Sequence, residues 1–372
     1  MDFSLSDEQR ATQETFHRFA EREVKPQARD LDENPRFPAE LFRQLGGLGF
    51  FGMRYPAPEG SGADLVSYLL AVEEIAAASL SLAAACTMQS LMGTYFVHKF
   101  ATGELRQRLF VPALRGDKIG TICMTEPDAG SDLFSMRTRA EQRDGNWFVS
   151  GQKTWITSAP VADFFTVFAR TGEKELSLFL VEKGARGLVI GKPIEKMGVR
   201  ASLTSEVAFD EAAATCLLGE HGQGTGYLRE ILGEVRLMTA ALALGVARAA
   251  FQEALAYAQQ RKQFGQTISR FQAVQLHLAD MAVELEAARH LVEWAAWRSE
   301  QKLPNDDQAS MAKLHASEMA HQVCDRAARV LASYGFANDY PVQRYLRDAR
   351  FTLIGGGTSE ILKVNIAKGL TK

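Results

Sequence analysis

Four stretches of this chain gather glycine, hydroxyl, cationic and aromatic residues densely enough to do chemistry. Met124-Thr125-Glu126-Pro127-Asp128-Ala129-Gly130-Ser131-Asp132 reads as a loop. Its amides and hydroxyls can approach a ligand closely, although the same composition suits a plain link between helix and strand. One hairpin later comes Gly151-Gln152-Lys153-Thr154-Trp155-Ile156-Thr157. An indole between hydroxyl residues can pack on a planar ring and bond its edge, while a tryptophan buried in its strand is the commoner arrangement. Arg261-Lys262-Gln263-Phe264-Gly265 interrupts two long helices, and Phe271-Gln272 opens the second of them. Two cations at such a bend can meet a pyrophosphate or form a solvated corner. Last, Gly355-Gly356-Gly357-Thr358-Ser359-Glu360 sets three glycines before a threonine and a new helix. That pattern suits close backbone approach to a ligand at free helix-start amides.

Composition narrows the chemistry. The 372 residues are 46% hydrophobic and 23% charged, and the formal net charge of −3 draws the chain neither to nucleic acid nor to an anionic membrane. Cys86, Cys123, Cys216 and Cys324 are widely separated, without CxxC spacing or paired histidines nearby. They read as small buried residues of a reducing compartment, so a cytoplasmic location is expected. Met1-Asp2-Phe3-Ser4 has neither the charge nor the apolar stretch of a leader, and the Ala76–Ala85 run is too short and too polar at its edges for a membrane span.

The elements that must position these stretches change texture twice. Residues 1–118 read as helical, opening on the capping box Ser6-Asp7-Glu8-Gln9, with Pro26 ending or kinking the first segment. Further helices are expected near 39–47, 64–78, 81–99 and 103–112. Residues 119–222 carry short β-rich runs at 147–150, 164–169, 176–181 and 206–209, separated by turns such as Asp144-Gly145-Asn146, which suggests a small sandwich or barrel. From 223 to 372 long helices return, at 234–260, 271–300, 306–336 and 341–351, and imply an antiparallel bundle.

In order and spacing the four stretches resemble the acyl-CoA dehydrogenase family across essentially the whole chain. Lys196-Met197-Gly198-Val199-Arg200, Tyr340-Pro341 and Arg347-Asp348-Ala349 match it too. The resemblance implies an α+β fold: an N-terminal helical domain (1–118), a middle β-domain (119–222) and a C-terminal four-helix bundle (223–372). It also implies FAD. Met124, Thr125, Gly130, Ser131, Trp155, Ile156 and Thr157 would meet the flavin and ribityl side, and Thr358 and Glu360 would meet the cofactor from the last motif. Arg261, Gln263, Phe264 and Gln272 would reach the adenine half of FAD in a neighbouring subunit, so a homo-oligomer, dimer or tetramer, is implied. The implied substrate is an acyl thioester of CoA or of an acyl carrier protein. The implied electron acceptor is an electron-transfer flavoprotein or oxygen.

The chain departs from the family where the reaction needs a base. The usual reaction takes a proton from Cα with a glutamate while hydride leaves Cβ. Family members keep that glutamate before the Gly-Thr of the last motif, here Gly356, or before a recurrent arginine of the first bundle helix, here Val235 before Arg236. Neither position holds a carboxylate. Glu234 is the nearest substitute, but one residue along a helix turns a side chain by about 100°. Arg236 is kept, and in the family it helps shape the pocket beside the base. Arg329 and Ala332-Ser333-Tyr334-Gly335 also differ from the family's glutamine and glycine-rich turn. The expected enzyme is an FAD-dependent oxidoreductase on an acyl thioester with a non-standard base. The rivals are a base-independent reaction such as desulfination, a heteromeric enzyme whose other subunit supplies the glutamate, and a non-catalytic flavin-binding protein.

Overall fold

The reciprocal capping expected at the start is present. Ser6 Oγ accepts from the Gln9 amide at 3.1 Å and the Gln9 side chain accepts from the Ser6 amide at 2.9 Å, which starts the helix Asp7–Phe19. The structure, a computed structural model, describes residues 4–371; Met1-Asp2-Phe3, read above as carrying no leader, and Lys372 lie outside the described residues. Pro26 does not stop the first segment. The path rewinds through a π turn (Ala20–Val24) and a 3-10 turn (Lys25–Gln27), then runs on as Ala28–Glu33, because proline lacks a donor that the first positions of a turn do not use.

The helix Leu65–Ala78 crosses the long helix Gly224–Gln260 at Gly245, where a side chain would collide with the Glu73 carbonyl and Ala76. Arg289 grips the buried Glu73 carboxylate with two hydrogen bonds of 2.9 Å, and Arg248 reaches Glu73 at 2.8 Å and Glu74 at 2.7 Å. These pairs lock the N-terminal helices to the bundle. Leu80–Phe100, 21 residues with an 18-residue stretch of mean hydropathy 1.2, is long and apolar enough to cross a membrane, but it lies mostly inside the protein as a core element.

The middle of the chain forms one eight-stranded sheet: β1 (Gly120–Cys123), β2 (Arg139–Arg143), β3 (Asn146–Thr157), β4 (Phe164–Arg170), β5 (Leu176–Glu182), β6 (Leu188–Pro193), β7 (Thr204–Ala213) and β8 (Cys216–Leu218). Pairing runs β6-β7-β3-β2-β4-β5-β8, with β1 parallel to β4, so the short strands expected of a small sandwich or barrel pair as one continuous sheet. Val149, Phe165, Phe179 and Val207 build a core of its own. Behind it stand Gly224–Gln260, Gln272–Glu300, Asp306–Leu331, Val342–Thr352 and Ser359–Leu370. The first of these begins ten residues before the sequence reading placed it. Gly224, Gly226 and Gly233 depress local helix propensity, yet Gly224 packs tightly on the Leu176 backbone and tertiary contact overrides the preference.

Candidate functional site

Two irregularities of β3 shape the wall on which Trp155 stands. Pairing of β3 with β7 slips between Val149 and Gly151 and again between Lys153 and Ile156. A bulge inverts the alternation of side chains beyond it. Lys153 is therefore fully buried, Ile156 points into the sheet core, and Trp155 between them stands 57% exposed at φ 58°. A bulky residue held in the left-handed region of the backbone is an outlier that cooperative packing must maintain. The sequence left open whether this tryptophan is buried in its strand; it is displayed on the surface. Ile156, expected among the flavin contacts, offers only its backbone.

Lys153 ties this strand to the neighbouring loop. Its ammonium donates to Glu126 Oε1 at 2.9 Å and to the Met124 carbonyl at 3.0 Å, and the Thr154 amide donates to the Thr125 carbonyl at 2.9 Å. Glu126 also accepts from the amides of Arg137 (2.6 Å) and Thr138 (2.9 Å), where the chain leaves the loop. Burial drives the Glu126 carboxyl upward, but those amides and Lys153 outweigh it and hold the group below the usual glutamate value. Burial pulls Lys153 below the ordinary lysine value. Between the clamped ends, Gly130 faces open space and Ser131 is exposed. An upright indole beside a loop of free amides and hydroxyls fits a planar cofactor with a polar tail, so the residues present suit FAD. Replacing Trp155 with Ala is expected to weaken FAD binding by about 1–3 kcal/mol through lost ring packing. Equilibrium dialysis against FAD measures it, and an unchanged dissociation constant would remove Trp155 from the cofactor site.

The loop also reaches the first bundle helix, where the Arg229 guanidinium lies 5.7 Å from the centre of the Phe134 ring. Six residues on, Val235 is buried facing the glycine turn. A Cβ built on Gly356 would lie 3.6 Å from the Val235 carbonyl oxygen and 2.8 Å from Thr239 Oγ1. The two positions at which the family keeps its base are thus neighbours, Gly356 lying against the Val235 carbonyl, and both are neutral. Gly356 adopts φ 72°, a conformation that a side chain resists. Lys313 supports the turn from behind, donating to the Gly357 carbonyl at 2.5 Å. Thr358 caps the next helix, its Oγ1 accepting from the Ile361 amide at 3.3 Å, and Glu360 beside it is exposed.

Glu234 is committed elsewhere. Its carboxylate accepts from Arg54 at 2.8 Å, and Arg54 lies 3.7 Å from Glu300 as well. Arg54 comes from the loop region before the Leu65–Ala78 helix, so nothing in the local sequence of Glu234 announced it.

The remaining cofactor candidates lie on a separate projection. Lys262–Gln263 and Gln266–Thr267 form a two-stranded hairpin that leaves Phe264 94% exposed. The Gln263 side chain donates to its neighbour's carbonyl, Arg261 lies over the Tyr334 ring at 5.7 Å, and Gln272 opens its helix exposed to solvent. Tyr334, from the stretch that departs from the family, therefore holds the arginine of this corner. The motifs Lys196–Arg200 and Arg347–Ala349 also meet: the Val199 amide donates to the buried Asp348 carboxylate at 2.6 Å. Burial pushes that carboxyl up to about 6 against the pull of the Val199 amide. Among the described residues no cluster of metal-ligating side chains occurs.

Comparison with known proteins agrees with this geometry. Family models match in order along the chain: "Acyl-CoA dehydrogenase, N-terminal domain" at residues 6–117, "Acyl-CoA dehydrogenase, middle domain" at 121–212 and "Acyl-CoA dehydrogenase, C-terminal domain" at 222–371. The chain is 60% identical to a benzylmalonyl-CoA dehydrogenase of Aromatoleum aromaticum over 99% of both proteins. Its fold superposes on butyryl-CoA dehydrogenase from Megasphaera elsdenii with a TM-score of 0.96 at 34% identity, covering 100% of each chain. It also superposes on PigA with FAD and proline, with a TM-score of 0.95 at 28% identity over 100% of this chain and 99% of that one.

Proposed function

The chain belongs to the acyl-CoA dehydrogenase family as an FAD-dependent oxidoreductase acting on the CH–CH bond of an acyl thioester, and we propose that its substrate is an arylmethyl-malonyl thioester of CoA which it oxidises with loss of CO2. The observation that carries this reading is the neutral pair of neighbours Val235 and Gly356 where a base would stand, with Glu234 committed to Arg54. A carboxylate on Cα makes a base unnecessary. The Cα–carboxylate bond breaks, CO2 departs, and the electron pair stays on Cα, delocalised into the thioester carbonyl. FAD, when bound, supplies the acceptor for the hydride that leaves Cβ. The products are CO2 and the 3-arylacryloyl thioester, and the negative charge of the substrate carboxylate leaves with the two electrons, so no proton need be removed.

The neutrality of Val235 and Gly356 has a second use. A glutamate at either position would stand against the substrate's own carboxylate, and like charges at such separations are strongly unfavourable in a partly buried site. The 60% identity to a protein named for benzylmalonyl-CoA supports the same substrate class. Relatives named as dehydrogenases and reductases do not favour desulfination or a non-catalytic flavin-binding role.

We further propose a homo-oligomer in which the Arg261–Gly265 hairpin completes the FAD site of a neighbouring copy. Phe264 and Phe336 are 94% and 91% exposed, and Leu276 and Val283 add apolar surface on the Gln272–Glu300 helix. An electron-transfer flavoprotein as acceptor and a cytoplasmic location complete the reading; the four cysteines, none in a disulfide, suit a reducing compartment.

Benzylmalonyl-CoA is expected to bleach the flavin and release one CO2 per thioester oxidised. The same skeleton without the carboxylate, 3-phenylpropionyl-CoA, should react about 10²–10⁴-fold more slowly for want of a base. Stopped-flow absorbance with CO2 trapping measures both. Equal rates for the two thioesters would overturn the decarboxylating reading.

A further inference from the structure

We infer that Arg236 recognises the carboxylate that departs from Cα, and so selects malonyl-type thioesters over simple acyl thioesters. The inference rests on the reaction proposed above and gives its substrate carboxylate a partner in the chain.

Most interior arginines of this protein grip an acid. Arg54 holds Glu234, Arg248 and Arg289 hold Glu73, and Arg347 holds Asp32. Arg236 is different. It follows Val235 on the bundle helix and is partly buried, and its Nε is enclosed without a hydrogen-bond partner. Asp306 and Asp307 at the start of the Asp306–Leu331 helix act on it only at a distance and form no ion pair with it. Burial pulls the guanidinium below the ordinary arginine value, and those two acids only partly offset this.

A second cation stands close by. Lys313 is fully buried and already donates to the Gly357 carbonyl at 2.5 Å. Burial pulls it down to about 8, and the Arg236 charge pushes the same way while Glu318 and Glu360 oppose. Arg236 is thus within electrostatic range of the ammonium that holds the glycine turn. Neither Val235 nor Gly356 supplies an anion to answer them, and among the described residues no ion pair is formed by Arg236 or Lys313.

A partly buried guanidinium whose Nε is enclosed without a partner gains from an anion that completes it. Where a family member carries a glutamate at either base position, the protein itself supplies a negative charge beside this arginine. Here the substrate has to bring it. A carboxylate on Cα, placed where the base side chain is missing, supplies one negative charge with the planar shape that the guanidinium fork matches. A single such partner orients the carboxylate and leaves its other side against Val235 and Gly356, which do nothing to hold it back from leaving as CO2. The contact is strongest before the bond breaks, so its removal should appear in KM more than in kcat.

The FAD-loaded protein tests this. Arg236→Gln and Arg236→Lys are compared with the native enzyme by steady-state turnover of benzylmalonyl-CoA. Binding of 3-phenylacryloyl-CoA, which lacks the α-carboxylate, is followed by perturbation of the flavin spectrum. In Arg236→Gln, KM for benzylmalonyl-CoA should rise about 10- to 100-fold, the loss of a charge-assisted contact. Its kcat should stay within about threefold, and the dissociation constant of 3-phenylacryloyl-CoA should not move. Arg236→Lys should recover part of the lost affinity. Equal weakening of both thioesters would mean that Arg236 only supports the fold, and an unchanged KM would mean that the carboxylate lies elsewhere. Either result overturns the assignment while the reaction stands, provided the native enzyme releases CO2. Failure of the native enzyme to release CO2 from benzylmalonyl-CoA overturns the reaction and this inference together.

Discussion

Val235→Glu is expected to let the enzyme oxidise 3-phenylpropionyl-CoA, raising its rate of flavin bleaching by about 10²–10⁴-fold. Val235 is buried, and its carbonyl lies against Gly356. A glutamate there enters at one of the family's two base positions on a helix whose backbone needs no adjustment. The same carboxylate would repel the α-carboxylate of a malonyl thioester, so turnover of benzylmalonyl-CoA should fall as that of 3-phenylpropionyl-CoA rises. This exchange of preference is the result to look for. A folded, FAD-loaded variant that gains nothing with 3-phenylpropionyl-CoA would mean that Cα is not presented to position 235. Gly356→Glu is the poorer test. Its backbone φ of 72° disfavours any side chain, and a Cβ there would meet Thr239 Oγ1 at 2.8 Å, so loss of activity would report strain rather than chemistry.

Lys153→Met should cost about 3–5 kcal/mol of stability by leaving the Glu126 carboxylate buried without its cation. The loss should not stop at stability. Lys153 joins the strand that displays Trp155 to the loop that carries Met124 and Thr125, so the variant should also release FAD more readily. Thermal melts with and without added FAD, together with flavin content after gel filtration, separate the two effects. Adding Glu126→Gln to Lys153→Met removes the unpaired charge and should recover part of the melting temperature. It should not restore the loop's anchorage to β3, so FAD retention should remain impaired. Wild-type stability and FAD content in the single variant would show the pair to be dispensable.

Much of this protein was legible in one dimension. The change from helix to strand and back is written in the periodicity of apolar residues, which depends on local backbone geometry alone. The reciprocal cap of Ser6 and Gln9 spans only two intervening residues. The cofactor motifs are equally local, because a loop that must approach a ligand has to be rich in glycine and hydroxyls wherever it lies. The absence of a carboxylate at 235 and 356 could be read once their counterparts in the family were recognised.

What the sequence could not determine are contacts between distant residues and the parity of an irregular strand. Strict alternation would put Lys153 and Trp155 on the same face, and only the slips in pairing with β7 bury one and expose the other. The register of a bulge depends on the partner strand, fifty residues away in this chain. Glu234 looked like a displaced base until the fold brought Arg54 to it across 180 residues. The isolation of Arg236 was hidden for the same reason. Whether a charge has a partner depends on everything packed around it, and only the tertiary structure left the Nε of this guanidinium enclosed without a hydrogen-bond partner, with Asp306 and Asp307 acting on it from a distance.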